Sequence, residues 1–452
     1  MTPPPFWTLD RMAQALGGGP RGHAPLRAVT TDTRALHAGD AFVALRGERF
    51  DAHDFLADAV KGGATALVID RPEAARGLGV PVFGVDDTLV ALGALARYRR
   101  RTWNGGRPVI AVAGSNGKTS TKELVRAALG SMLEVHATHG NLNNRVGTPL
   151  TLLALPDEAD AAVIELGTNV PGEVAILRDI ALPEIAIVTS IAEEHLEGLG
   201  DLEGVLREEA SVYEGTVLGI APAGQPEVAR AAAGKTRRVI TAGLDAGDVR
   251  PARWGIGADG LGWMDIDGVE VRPPLRGAHN LRNCMLALAC ARECGVPLES
   301  AARGIAAMPV PSMRTAWEQL GRATLINDAY NSNPGSARAA LELLERAGEG
   351  RQRVAVLGTM RELGAAAGRL HEEIARLALE SPIEVVGGVG DFAPVMTRLA
   401  GDDPRLVTAE DPDGLWPALA ERLAPDAVIL LKASRGVRLE RLVPHLTAWA
   451  NR

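Results

Sequence analysis

Residues 114 to 120 read Gly-Ser-Asn-Gly-Lys-Thr-Ser, the residue types of a phosphate cradle. Gly114 and Gly117 allow backbone N–H groups to approach an anion. Ser115, Asn116 and Ser120 add polar side chains, Lys118 supplies a full charge, and Thr119 offers a hydroxyl suited to Mg2+. The spacing departs from the strict G-x-x-x-x-G-K-[ST] pattern, because Val112 stands at its first glycine position. An ordinary strand-to-helix turn is the plainer alternative, but the flanks favour a phosphate loop. Val109 to Ala113 form a β-branched and apolar run of buried-strand character. From Thr119 onward Leu124, Val125, Ala128, Leu129, Met132 and Leu133 recur at one-face helical spacing.

Two further apolar runs end in candidate ligands. Ala161–Ile164 leads into Glu165, and Ile185–Thr189 leads to His195. Ligand sites in open parallel sheets gather beyond the carboxyl ends of the strands, so Lys118, Thr119, Glu165 and His195 are expected around one crevice. A carboxylate, a hydroxyl and an imidazole beside nucleotide phosphates form a plausible Mg2+ shell, although His is an unusual partner for so hard a cation. Between the runs, Asn141, Asn143 and Asn144 lie in a glycine-bounded loop that either turns the chain or binds a polar substrate.

The elements that must position these residues fall into three blocks of α/β character. Residues 1–106 contain short strand candidates at Ala28–Thr31, Ala41–Leu45, Ala64–Ile69 and Val82–Val85, with a helical stretch at His53–Lys61. Polar segments around Thr31–Arg34 and Leu45–Asp51 adjoin those strand ends. Residues 107–311 carry the phosphate loop; 215 to 276 are Gly- and Ala-rich with weak strand signals, and His279–Gly295 reads as a helix bearing Asn280 and Asn283. Residues 312–452 alternate strand candidates (Ala323–Ile326, Val354–Leu357, Ile383–Val386, Ala427–Leu431) with helices such as Ala337–Arg346 and Leu370–Leu379, predicting a doubly wound unit. Its segments Asn327–Pro334, Gly358–Gly364 and Lys432–Gly436 are expected on one sheet edge.

The bulk numbers restrict the function classes. A chain of 452 residues exceeds one hydrophobic core. Net charge −8 argues against nucleic-acid binding, which needs a concentrated basic surface. The run Arg97–Arg101 reads as a solvated helix end. Cys284, Cys290 and Cys294 fit neither a disulfide framework nor paired metal spacing, and read as buried, reduced thiols. No signal-peptide pattern opens the sequence, and no run approaches the roughly 18 apolar residues of a membrane span. A cytoplasmic monomer is expected.

The assembled segments resemble the Mur ligases of peptidoglycan synthesis over all three blocks. The specific pieces are G-S-N-G-K-T-S, E-L-G-T-N-V-P-G-E-V, H-L-E-G-L-G, G-A-H-N-L-R-N, D-A-Y-N-S-N-P and L-K-A-S-R-G. The resemblance implies a small N-terminal α/β domain, a central P-loop ATPase domain with a parallel-rich sheet, and a C-terminal Rossmann-like domain. It implies an ATP- and Mg2+-dependent amide-forming reaction through an acyl phosphate. D-alanyl-D-alanine is then joined to UDP-N-acetylmuramoyl-tripeptide, since D-A-Y-N-S-N-P resembles the dipeptide-adding branch. A sister ligase adding the third amino acid, or a non-catalytic nucleotide-binding homologue, is the alternative.

Residue roles follow from the resemblance. Lys118 is implied at the transferring phosphoryl group, and Thr119, Glu165 and His195 at the metals. Asn283, Arg314 and Asp328 are implied at the nucleotide, and Asp32, Thr33, Arg34, Leu45, Arg49, Asn141 and Asn144 at the UDP-sugar peptide. Asn331, Asn333 and Lys432 are implied at the peptide and the incoming dipeptide. One departure matters: the family usually places a carbamylated lysine fourteen residues after the His195 equivalent, where this chain has Glu209. Glutamate is already an anionic oxygen ligand, though shorter, so Glu209 is expected to hold the second Mg2+ without bound CO2. A solvated helix residue is the plainer alternative there. Thr359 and Ser211 stand where the family often has acidic residues.

Overall fold

The computed structural model describes residues 5–47, 50–103 and 105–451. The chain divides into two compact units. One comprises Met1–Ala111, Leu133–Thr168 and Gly172–Glu184; the other comprises Val112–Met132, Asn169–Pro171 and Ile185–Arg452.

In the first unit four short parallel strands, Val29–Thr30, Ala41–Val43, Ala66–Ile69 and Val82–Gly84, pair in that order. Their side chains alternate between two cores. Val43, Ala66 and Val68 pack with Trp7, Leu92 and Leu95, whereas Phe42, Leu67 and Ile69 pack with Leu56 and Ala59. The expected His53–Lys61 helix is a 3-10 turn at Ala52–Phe55 followed by an α-helix at Leu56–Lys61. Strands Val135–Ala137 and Ala161–Glu165 pair in parallel.

The basic run at 97–101 differs from its expected solvated state. Arg99 and Arg100 are buried in the helix Thr88–Thr102. Arg99 donates to Leu155 O and reaches Asp157 at 2.6 Å. Arg100 donates to Ala181 O and Leu182 O and pairs with Glu184. These guanidiniums satisfy carbonyls at the C-terminal ends of neighbouring helices, so burial costs them no hydrogen bonds.

The strand Val109–Ala113 is buried along its whole length, as its composition requires. The helix after it runs from Lys118 to Leu129, burying Leu124, Val125, Ala128 and Leu129. Met132 lies beyond the helix end and is exposed. In the second unit, parallel strands Ile185–Val188, Leu218–Pro222 and Arg238–Ala242 are adjacent. Buried Tyr213 crosses between two of them, accepting from Val188 N and donating to Ile220 O. A three-stranded antiparallel meander follows at Arg253–Ile256, Gly262–Ile266 and Val269–Val271. The helix Ala278–Glu293 packs against the phosphate-loop helix. It buries Cys284 and Cys290, and all three cysteines are unpaired by disulfide.

Residues beyond Pro311 form a six-stranded sheet in the order Ala316–Leu320, Ala323–Asp328, Val428–Lys432, Arg353–Gly358, Val385–Val389 and Leu406–Ala409. The first strand is an antiparallel edge and the others are parallel. Leu325, Val354, Val356, Ile429 and Leu431 share a core with Leu415, Leu419, Leu442 and Leu446. Strand alternation turns the equally buried Ile326, Ala355, Leu357 and Leu430 to the opposite face. That two-sided burial explains the near-continuous apolar runs of these strands.

Candidate active site

The phosphate loop is held open by two glycines whose conformations other residues rarely adopt. Gly114 has φ +116°, and a Cβ there would lie 2.4 Å from Thr189 Oγ1. Gly117 has φ +83°, and a Cβ there would lie 2.6 Å from Asn283 Nδ2. The segment after strand Ile185–Val188 laces the loop in place. Ser115 N donates to Ser190 O, Asn116 N to Ser190 Oγ, and Thr189 Oγ1 to Asn116 O. Ala192 N donates to Ser115 Oγ. Thr119 and Ser120 begin the helix and are largely buried.

Lys118 folds back over the loop, its ammonium donating to Gly114 O and lying 3.7 Å from Glu194 Oε1. Glu209, at the end of the helix Leu202–Glu209, is fully buried and accepts a 2.7 Å hydrogen bond from Gly114 N. It is therefore a loop-facing carboxylate and not a solvated helix residue. Burial drives its pKa up and Glu194 adds to this, while Lys118 opposes it. Glu209 Oε1 and Glu194 Oε1 are buried without a hydrogen-bond partner. Buried carboxylate oxygens lacking a proton donor suit a hard cation, so this donor set fits Mg2+. Among the described residues no three His, Cys, Asp or Glu side chains stand together as a ready ligand set. Completion would rest on the Thr119 hydroxyl and on phosphate oxygens.

His195 has φ +51° and presents Nδ1 to the Glu362 carboxylate. Its Nε2 lies 3.8 Å from Glu194 Oε2. Burial disfavours the charged ring, but the Glu362 hydrogen bond and the Glu194 charge leave its pKa raised. The His195 hydrogen bond correspondingly lowers that of Glu362.

A second cluster forms at the carboxyl ends of the C-terminal strands. Asp328 accepts from Thr315 N at 2.9 Å and pairs with Lys432 at 2.8 Å. Lys432 also donates to Asn331 O, and Ser434 Oγ donates to Ser332 O. Arg361 N donates to Ser434 Oγ. The three polar segments thus share one edge. Arg314 covers the Tyr330 ring, 4.3 Å from its centroid. Asn333 caps the helix Pro334–Ala347, accepting from Ser336 N. Its amide also pairs reciprocally with Asn116 of the phosphate loop, at 2.9 and 3.2 Å. Both polar atoms of Asn333 are thereby committed to cap and loop. A cavity lined by Glu194, His195, Asn331, Arg361, Glu362 and Arg435 opens between these groups.

The remaining predicted residues belong to the first unit. Glu165 ends strand Ala161–Glu165, is buried, and accepts from Asn143 Nδ2 at 2.8 Å. Asn144 Oδ1 accepts from Val146 N and Gly147 N, and Asn141 O from Asn143 N. Asp32 caps the turn Thr33–Ala35 and holds the Arg34 guanidinium on both oxygens, which lowers its pKa. Leu45 is half-buried after strand Ala41–Val43, and Arg49 lies outside the described residues.

Sequence reasoning missed Glu194, Glu362 and His279, and it read Asn143 as a turn former or substrate contact without its bond to Glu165. Glu194 adjoins His195 in the chain. The ring of His279 lies in the field of Asp328, Lys432 and Arg282, and burial lowers its pKa to about 4. Asn280 Nδ2, whose other hydrogen bond goes to Arg276 O, lies 3.1 Å from His279 Nε2. Nε2 therefore accepts, which a protonated imidazole cannot do.

Family models match along the chain: "Mur ligase family, catalytic domain" over residues 25–100, "Mur ligase middle domain" over 112–291, and "Mur ligase, glutamate ligase domain" over 313–435. The UDP-N-acetylmuramoyl-tripeptide–D-alanyl-D-alanine ligase of Bacillus subtilis is 34% identical over 434 residues, covering 93% of each chain. That of Escherichia coli is 35% identical over 451 residues, covering 96% of this chain and 97% of the relative. Among solved structures, MurF from Acinetobacter baumannii superposes with TM-score 0.90 at 30% identity over 98% of this chain and 99% of its own. MurF ligase from Thermotoga maritima, in complex with ADP, superposes with TM-score 0.83 at 25% identity, covering 94% and 98%. A glycine-built phosphate cradle in a chain matched from end to end by these relatives makes the protein a member of the Mur ligase family.

Proposed function

We propose that the protein is an ATP-dependent amide-forming ligase that joins D-alanyl-D-alanine to UDP-N-acetylmuramoyl-tripeptide in peptidoglycan precursor synthesis. The relatives named for that reaction support it. The observation that carries it is the Asn116–Asn333 pair, which links a nucleotide-phosphate cradle to a polar strand edge able to receive a second substrate. A motor ATPase has no use for that edge. Residues 1–106, 107–311 and 312–452 serve as UDP-sugar-peptide, ATP and ligase domains.

In this reading Lys118 and the loop amides from Gly117 to Ser120 stabilise charge on the transferring phosphoryl group, while the amides of Gly114, Ser115 and Asn116 hold the loop in shape through Glu209 and Ser190. Thr119, Glu165, His195 and Glu209 would hold Mg2+, which when bound would supply charge neutralisation. Asn283, Arg314 and Asp328 hold the nucleotide. Asp32, Thr33, Arg34, Leu45, Arg49, Asn141 and Asn144 bind the UDP-sugar peptide. Asn331 and Lys432, framed by Asn333, face the acceptor peptide and the dipeptide. The tripeptide's terminal carboxylate accepts the phosphoryl group, and the dipeptide's amine displaces phosphate to form the amide. No helix among the described residues is long and apolar enough to cross a membrane. In this reading the protein also acts in the cytoplasm as a monomer.

The test is phosphate release from ATP and Mg2+ with the UDP-muramoyl tripeptide, with and without D-alanyl-D-alanine. Release that requires the dipeptide is expected. Release driven instead by a third amino acid on the UDP-muramoyl dipeptide would reassign the protein to the sister reaction. Nucleotide binding without release under either pair would make it a non-catalytic homologue.

A further inference from the structure

The contact between His195 and Glu362 joins residues 167 positions apart. It is built from both sides. His195 and Glu362 are both non-glycine residues in the left-handed region, with φ +51° and +64°. Such conformations persist where the surroundings over-determine them, and they cluster at functional sites. The two turns also meet backbone to backbone. Glu197 N donates to Glu362 O at 3.2 Å, and a Cβ on Gly364 would stand 3.0 Å from Glu197 Cα. The Glu362 turn is itself fixed, through Met360 N to His371 Nε2 and Arg361 N to Ser434 Oγ. Glu362 is half-exposed and His195 largely buried, so the exposed carboxylate reaches in to the ring.

We propose that Glu362 is a positioning residue that fixes the tautomer and orientation of His195, an inference that takes its catalytic meaning from the ligase reading. A carboxylate only accepts, so His195 Nδ1 carries the proton of the neutral ring. Nε2 is then left as a bare lone pair on the side of Glu194 and Lys118. A ring nitrogen that must meet a cation or a phosphate-bound proton needs that arrangement, and a carboxylate on the other nitrogen is the usual way to enforce it. Glu362 comes from the block that carries the second substrate's edge, whereas His195 follows a strand of the phosphate-loop block. The imidazole is therefore correctly set only while the two blocks are docked, which ties assembly of the phosphoryl site to closure on the second substrate.

The test uses full-length protein labelled with 15N-histidine, Glu362→Leu and Glu362→Gln variants, and His195→Asn to assign the resonance among nine histidines. Long-range 1H–15N spectra at alkaline pH report the tautomer. The wild type is expected to show His195 protonated at Nδ1. Glu362→Leu should shift it toward the Nε2–H form and lower kcat by roughly 10- to 100-fold with little change in KM for ATP. Glu362→Gln keeps an acceptor and should restore most of both properties; if the leucine variant does not fold, Glu362→Ala, which also lacks an acceptor at this half-exposed position, takes its place. An unchanged tautomer in the variant that lacks the acceptor, or such a variant with wild-type kcat, would overturn the proposal. A tautomer change in a protein inactive on every substrate pair would overturn the ligase reading and leave the positioning intact.

Discussion

Protonating His279 should cost the protein stability in acid. The ring is partly buried in the field of Lys432 and Arg282, with Asp328 the opposing charge, and Nε2 accepts from Asn280. Its pKa falls from the ordinary 6.5 to about 4. A base whose folded pKa is depressed is bound by fewer protons in the fold than in the unfolded chain. Its contribution is complete above pH 6.5 and is lost as pH falls toward 4. The full drop corresponds to roughly 3 kcal/mol, of which about 2 kcal/mol is gone by about pH 5. The assay is urea unfolding of wild type and His279→Gln in parallel, from about pH 8 to about pH 5. Glutamine keeps an acceptor for Asn280 and cannot titrate, so the gap between the two proteins should close or reverse as pH falls. Parallel pH profiles would refute the reasoning, because they would mean that the ring keeps its ordinary affinity for protons inside the fold.

Gly117→Ala forces a Cβ to 2.6 Å from Asn283 Nδ2 at φ +83°. With about 1–3 kcal/mol of strain placed on the loop, nucleotide affinity measured by calorimetry should fall roughly 5- to 150-fold. Arg100→Met leaves Ala181 O and Leu182 O unpaired. It should lower stability by about 3 kcal/mol in a denaturation experiment while leaving nucleotide affinity unchanged. Glu209→Gln should raise the Mg2+ concentration needed for half-maximal activity by roughly 10- to 100-fold. The wild type should work equally well in bicarbonate-depleted buffer, and a clear loss there would remove Glu209 from the metal site.

The sequence was most legible where burial is total. Val109–Ala113 and the two-sided strands of the last sheet announce themselves because every side chain must be apolar. The loop after them was legible because glycine at 114 and 117 is a conformational necessity. Residues 215 to 276 were opaque for the converse reason. Their strands are short, and in the meander buried Met264 and Ile266 alternate with half-exposed Trp263 and Asp265 around tight turns. Arg99 and Arg100 misled because a run of arginines gives no hint of which carbonyls lie within reach. Glu362 and His279 could not be ranked above their neighbours, since their partners are set by packing between distant segments and not by spacing.

The Asn116–Asn333 pair brings the first turn of the helix Pro334–Ala347 against the phosphate loop, where the helix Lys118–Leu129 also begins. Neither first turn holds an acidic residue. Each backbone dipole is equivalent to about half an elementary charge at its N-terminus, and the carboxylates that face the loop, Glu194 and Glu209, come from outside both helices. The two N-termini offer a partial positive charge that no side-chain substitution removes and no pH change titrates. The affinity of the cradle for phosphate is thus partly a property of how two helices meet. A variant that lost Lys118 would keep an attraction for anions while losing the group that follows the phosphoryl in flight.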